Sequence, residues 1–232
     1  MKNEDTRGMD IKERKRREII DAAYDILKEK GINKFTVKDV SDRIGIGRGT
    51  LYEYIKTKTD IIYIVLEDGL IKSIRALQEQ TRQIMDPLLK LKIAIHEFLG
   101  ITADNYILLW ALVQETTPIS KPQFKRIFKL VDDYNNIFKR ILEEGNKEGI
   151  FDVTDSYLVA HCITTMLNTW IIKSKFLNYK FLLEDYEMKI GKIILQGVLD
   201  MGDEHRDRNL DGLRRISNLG IGNLKKSEVG KS

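Results

Sequence analysis

Proline and cysteine are almost missing from this chain, and each shortage narrows what it can be. Only three prolines occur in 232 residues, Pro87, Pro118 and Pro122. With so few breakers, and with Leu, Ile, Lys and Glu abundant, the chain reads as all-α rather than sheet-rich. A single cysteine, Cys162, rules out an internal disulfide framework and fits a reducing compartment. No apolar run approaches the roughly 20 residues that cross a bilayer, so no membrane partner is expected. The opening MKNEDTRGMDIKERKRRE lacks the apolar segment of a secretory signal. The expectation is a soluble, cytoplasmic, helical protein.

Histidine is scarce too. His96, His161 and His205 are the full set, and no carboxylate cluster has metal-ligand spacing. His161 and Cys162 are chain neighbours on a helical segment, so their side chains diverge by about 100° and make no nucleophile–base pair. The glycine-rich stretch Gly45-Ile46-Gly47-Arg48-Gly49 lacks the preceding strand and the lysine of a phosphate-binding loop. No enzyme, metal or cofactor is expected.

What is present is a basic start followed by helical periodicity. Residues 1–60 hold 15 Lys and Arg against 12 Asp and Glu, with Lys12, Arg14, Lys15, Arg16 and Arg17 close together. Such an arm suits phosphate contact through counterion release, or is simply a solvated helix start. A first helix is predicted over about 11–30, its stripe Ile19, Ala23, Ile26 and Leu27 falling on one face and Gly31 stopping it. Thr36 opens a second helix as N-cap, with Asp39 in the capping-box position and Val37, Val40 and Ile44 as its inner stripe. Gly45-Ile46-Gly47 supplies the sharp turn. A third short helix follows at Arg48–Tyr54, held inward by Leu51 and Ile55. Thr57 caps a fourth, with Asp60 in its first turn.

Two short helices across a glycine-bearing turn, braced by a preceding helix, form a helix-turn-helix. With the apolar positions turned inward, Arg48, Thr50, Tyr52, Glu53 and Tyr54 remain outside. An arginine, a hydroxyl and phenols on a short helix, with Gly49 allowing close approach, fit a major groove. Lys58 adds charge at the start of the next helix, beside amides that already favour phosphate.

The run from Phe35 to Val40, then Ile44 through Lys58 with Gly49-Thr50-Leu51-Tyr52 at its centre, resembles the head of TetR-family transcriptional regulators. The likeness covers about residues 12–62. It implies that Thr36 touches a phosphate, that Arg48, Gly49, Thr50, Tyr52 and Tyr54 contact bases or backbone of double-stranded operator DNA, and that Lys58 meets a phosphate. Two departures stand out. Gly47 occupies the place of the family's usual Ser or Thr cap, and Glu53 faces outward, either accepting from a cytosine or solvated.

The remainder reads as a helical body with segments at Pro87–Asn105, Tyr106–Thr116, Lys121–Lys147, Thr154–Lys175 and Leu183–Met201. The organisation expected is a DNA-binding domain at 1–62, an effector-binding and dimerisation domain at 63–201, and a polar tail at 202–232. The resemblance implies a small-molecule effector in the body and a homodimer through its last two helices. Candidate seam residues are Leu158, Cys162, Thr165 and Thr169, with Ile190, Ile194, Gly197 and Val198. Candidate effector contacts are His96, Tyr106, Trp110, Phe124, Phe128, Met166, Asn168 and Trp170, aromatic area with isolated polar groups. Core or dimer interface is the plainer reading for most of these, and for His96 a partly exposed or hydrogen-bonded core histidine. The apolar bias points to a hydrophobic or amphipathic effector, either a fatty acyl compound or a lipophilic drug. The function the resemblance implies is a one-component regulator, a repressor released from DNA by its effector. A DNA-binding architectural protein without an effector is the alternative.

Overall fold

Apolar residues at spacings of three and four fold this chain into helices, eight of them among the described residues. They are α1 Lys2–Lys34, α2 Val37–Ile44, α3 Arg48–Tyr52, α4 Lys58–Arg82, α5 Pro87–Gln114, α6 Lys121–Lys147, α7 Ser156–Leu177 and α8 Leu183–Val198. The structure is a computed structural model that describes residues 2–114, 120–177 and 180–199; side chains at 2–11, 101–114, 171 and 174–176 lie outside that description. So does the expected tail at 202–232. No strand occurs among the described residues, only an isolated bridge between Phe151 and Leu199. None of their helices is long and apolar enough to cross a membrane.

The first helix begins earlier than its apolar stripe predicts, because the charged residues before Ile11 continue the same helix. Its expected stop is in place: Gly31 leaves helical geometry at φ +70, ψ 168, and a last turn follows to Lys34. In the body, the two segments expected at Pro87–Asn105 and Tyr106–Thr116 are one helix, α5. Asp104-Asn105 lowers helix propensity by only a few tenths of a kcal/mol per residue, and neither glycine nor proline intervenes to end the helix there.

Two cores form. The head core gathers Ile19, Ala23, Ile26 and Leu27 of α1 with Val40, Leu51 and Ile55, and closes on Ile61, Ile62, Val65 and Leu66 of α4. The body core gathers Leu77 of α4, Leu91, Ile95, Phe98 and Leu99 of α5, Ile137, Phe138, Ile141 and Leu142 of α6, and Ile163 and Leu167 of α7, with Ile194 and Val198 of α8. Burying each such side chain contributes about 1.5–3 kcal/mol. α4 therefore belongs to both cores: its first half closes the head, while Leu77 anchors its second half in the body. No chain break separates the two units at residue 62.

Candidate DNA interface and effector region

The reading element is built by helix caps. Thr36 Oγ1 accepts from the Asp39 amide at 3.2 Å, and the Asp39 carboxylate accepts from the Thr36 amide at 3.0 Å, a complete capping box. Lys30 donates to the same carboxylate at 2.8 Å. The Lys30 hydrogen bond, followed by that of Thr36, holds the Asp39 carboxyl below its ordinary range. Gly45 turns the chain after α2 with φ +68, a left-handed conformation that costs a side-chain-bearing residue roughly 1–2 kcal/mol. Gly47 then starts α3 with no side-chain cap, as its sequence foretells.

α3 is short and pinned by Leu51, which is fully buried. Arg48, Gly49, Thr50, Tyr52 and Glu53 are exposed on it and just after it. Together they make one continuous polar face of the kind that enters a major groove. Tyr54 departs from expectation: α3 ends at Tyr52, and Tyr54 is half-buried against the head core instead of facing outward.

Lys58 also differs. Its ammonium donates to the Ile32 carbonyl at 2.9 Å, just beyond the Gly31 break. It braces the start of α4 against the end of α1. Thr36 is exposed at the start of α2, and its hydroxyl also donates to the Asp39 carboxylate at 2.9 Å. The basic arm is partly neutralised within the head: Lys15 pairs with Glu18 at 2.6 Å, and Arg16 reaches Glu67 of α4 at 2.9 Å. Lys12 and Arg17 remain exposed.

Head and body also meet through side chains that sequence reasoning passed over. Asp60, in the capping box of α4, accepts from Gln123 Nε2 of α6 at 3.0 Å. Burial alone would raise the Asp60 carboxyl, but the hydrogen bonds from Gln123, Thr57 and the Lys56 and Thr57 amides hold it lowered. One turn further along α6, Arg126 Nε lies 3.0 Å from Glu67 Oε1, while Arg16 of α1 holds the other oxygen. These pairs are about sixty residues apart in the chain, beyond the reach of any local periodicity.

The effector candidates scatter. His96 is exposed and hydrogen-bonded, its Nδ1 2.9 Å from Glu187 Oε1 of α8, so it ties two helices at the surface. Phe124 and Phe128 are also outside, 59% and 66% exposed, stacked on each other with centroids 6.3 Å apart. Trp170 is core, its ring 5.1 Å from that of Tyr186. Met166 and Asn168 are half-buried, and the Met166 carbonyl accepts from Tyr186 Oη at 2.6 Å. The side chains of Tyr106 and Trp110 lie outside the described residues. Tyr134, which no sequence signal marked, is buried with no hydrogen-bond partner for its hydroxyl among the described residues. Burial, with the nearby Glu97 charge, drives its phenol pKa well upward.

The expected seam divides. On α7, Leu158, Cys162 and Thr165 are exposed and Thr169 half-buried, and the stripe continues to exposed Ile172. On α8 the expectation is corrected. Ile194 and Val198 are each only 2% exposed and belong to the body core, and Ile190 packs against that core. Gly197, also expected there, is exposed, as are Met188 and Ile193.

A braced helix pair presenting a polar reading face, carried on a separate helical body, defines a helix-turn-helix DNA-binding regulator. Comparison with known families agrees in both halves. Residues 19–62 match the model of bacterial regulatory proteins of the tetR family, and residues 71–172 match a tetracyclin repressor-like C-terminal domain. The chain belongs to the TetR family of transcriptional regulators. It is 24% identical over 163 residues to the fatty acid metabolism regulator protein of Bacillus subtilis, covering 68% of this chain and 84% of that one. The fold is shared with FadR of Bacillus subtilis, solved in complex with stearoyl-CoA (TM-score 0.65, 22% identity, 78% of this chain and 97% of that one). It is shared as well with a Saccharomonospora viridis protein in complex with choline (TM-score 0.72, 15% identity, 81% and 99% covered). These families and relatives are transcriptional regulators, not enzymes.

Proposed function

We propose that this regulator is a repressor that grips double-stranded operator DNA as a homodimer and lets go when a small hydrophobic effector binds its body. The observation that carries the reading is the sharing of α4. One helix closes the head core with Ile61, Ile62, Val65 and Leu66, and enters the body core with Leu77. A change of packing in the body therefore moves the platform on which the reading helix stands.

Two heads bind one operator only when they meet successive major grooves, about 34–36 Å apart. An effector that prefers a body with another head spacing shifts the population away from the DNA-binding state, by as much as its affinities for the two states differ. Arg48, Gly49, Thr50 and Tyr52 are the reading residues in this scheme, with Thr36 at the backbone. Tyr54 and Lys58 support the face they adjoin. The hydrophobic nature of the effector is supported by the apolar body and by the relatives named for fatty acid metabolism or solved with stearoyl-CoA.

The test is fluorescence anisotropy on an operator fragment selected from genomic DNA by the full-length protein, titrated with stearoyl-CoA and with stearate. Saturable release by either acyl compound is expected. Tight DNA binding that neither compound alters would overturn the acyl-effector reading and favour an architectural role.

A further inference from the structure

The contacts between head and body are not confined to the shared helix α4. Gln123, Arg126 and Ile127 stand at i, i+3 and i+4 on α6, so they share one face of its first two turns. All three face the head. Gln123 donates to Asp60 at 3.0 Å, Arg126 holds Glu67 at 3.0 Å, and Ile127 packs against the head core. Glu67 in turn receives Arg16 of α1 at 2.9 Å, so one largely buried carboxylate links α1, α4 and α6. Glu67 is 14% exposed at its side chain while Arg16 and Arg126 are 47% and 44% exposed, so the carboxylate end of both pairs is shielded and the guanidinium ends are half in water.

The other end of the same helix is fixed in the body. Ile137, Phe138, Ile141 and Leu142 of α6 are body-core residues. α6 has 27 residues, a rod of about 40 Å at 1.5 Å per residue. It begins on a complete capping box, with Ser120 Oγ accepting from the Gln123 amide at 3.4 Å and Gln123 Oε1 accepting from the Ser120 amide at 2.8 Å. Gln123 therefore splits its side-chain amide between two tasks: its oxygen caps α6 and its nitrogen holds the cap residue of α4. The N-termini of the two helices are locked to each other.

We propose that the first two turns of α6 are a clasp that fixes the stance of the DNA-binding head, with Gln123, Arg126 and Glu67 as its positioning residues. The head is then held at two places, by continuity of α4 and by the clasp. Neither Gln123 nor Arg126 touches DNA in this scheme; they act through Asp60 and Glu67. The stance they set is a property of the unliganded chain, whereas any part the clasp plays in effector release rests on the function proposed above.

The clasp is tested with spin labels at Asp21→Cys in the head and Lys147→Cys at the far end of α6, in full-length protein carrying Cys162→Ser. Labelled chain is diluted with excess unlabelled chain so that only distances within one chain contribute. A narrow head-to-body distance distribution is expected for the parent, and a broadened or shifted one for the pair Q123A and R126Q. K125Q, on the same two turns but exposed, is the control and is expected to leave the distribution unchanged. Operator affinity of the double variant is expected to fall at least about fivefold, the low end of ordinary coupling between sites. If the double variant loses helical signal, Q123A alone, read by the same distances, decides the matter. An unchanged distribution in a folded variant overturns the clasp. A parent whose operator binding ignores stearoyl-CoA and stearate, yet whose stance depends on Gln123 and Arg126, instead retains the clasp and sinks the acyl-effector reading.

Discussion

Lysine and tyrosine side chains that look equivalent in the sequence of the head do different work in the fold. Tyr52 is 49% exposed, makes no contact that the head needs, and stands on the reading face. Lys58 is half-buried and satisfies the Ile32 carbonyl where α1 breaks. A hydrogen bond from a charged donor to a carbonyl of this kind is worth about 1–2 kcal/mol net. Lys58→Ala is thus expected to lower head stability by about that amount in urea unfolding, and to weaken DNA binding through the loosened head as well as through lost charge. Tyr52→Ala is expected to weaken DNA binding with the unfolding midpoint unchanged. Equal midpoints for the two variants would show that the Lys58 bond contributes nothing and return that lysine to the role of a phosphate contact alone. The same contrast marks Tyr54, whose ring packs on the head core and whose loss is expected to register in stability first.

Helix ends were the most legible feature of the chain, since caps are local chemistry. Thr36 with Asp39, Thr57 with Asp60, and the turn at Gly45 follow from residues within four positions of one another, and all are in the structure. Contacts across sixty residues were not legible: nothing near Gln123 or Arg126 in the sequence points to Asp60 or Glu67. Apolar residues occur all round α8, and only packing decides which of them turn inward. Phe124 and Phe128 misled for a similar reason, as aromatic area in a sequence does not say whether anything covers it.

The cap chemistry yields two expectations at this scale. Gly47 begins α3 at φ −63, ψ 147, an extended conformation any residue adopts, and a Cβ placed on it would meet nothing within 4 Å. Gly47→Ser is expected to supply the missing cap and raise head stability by a few tenths of a kcal/mol, measured by thermal unfolding. A loss of stability would mean the hydroxyl cannot reach the free amides of α3. The capping carboxylates Asp39 and Asp60 are both held below the ordinary aspartate value of 3.8. Their stabilisation is accordingly full above that value and disappears as pH falls through the lower folded-state values. Acid titration followed by circular dichroism is expected to show loss of head helicity setting in below about pH 4, with a weaker pH dependence in Asp60→Asn.

At the scale of the whole molecule, the proposed homodimer draws on the two outer helices. Leu158 and Ile172 on α7 and Met188 and Ile193 on α8 are each more than half exposed. Exposed apolar side chains of this kind are candidates for cover by a partner. A second copy of the same chain would cover it isologously, each α7 and α8 packing on their counterparts, and would bring two heads to one operator. Leu158→Glu is therefore expected to turn the dimer into a monomer in sedimentation velocity. It is also expected to reduce operator affinity sharply, since each head then binds without its neighbour. Ile194 provides the opposite case on α8: at 2% exposure it belongs to the body core, and Ile194→Ala is expected to cost about 2–4 kcal/mol of stability while leaving the assembly intact. Dissociation by Ile194→Ala but not by Leu158→Glu would place the seam on the inward face of α8, against the burial of that face in the single chain. The reverse result assigns the seam to the exposed side of α7 around Leu158, the surface through which the two heads are held at one spacing.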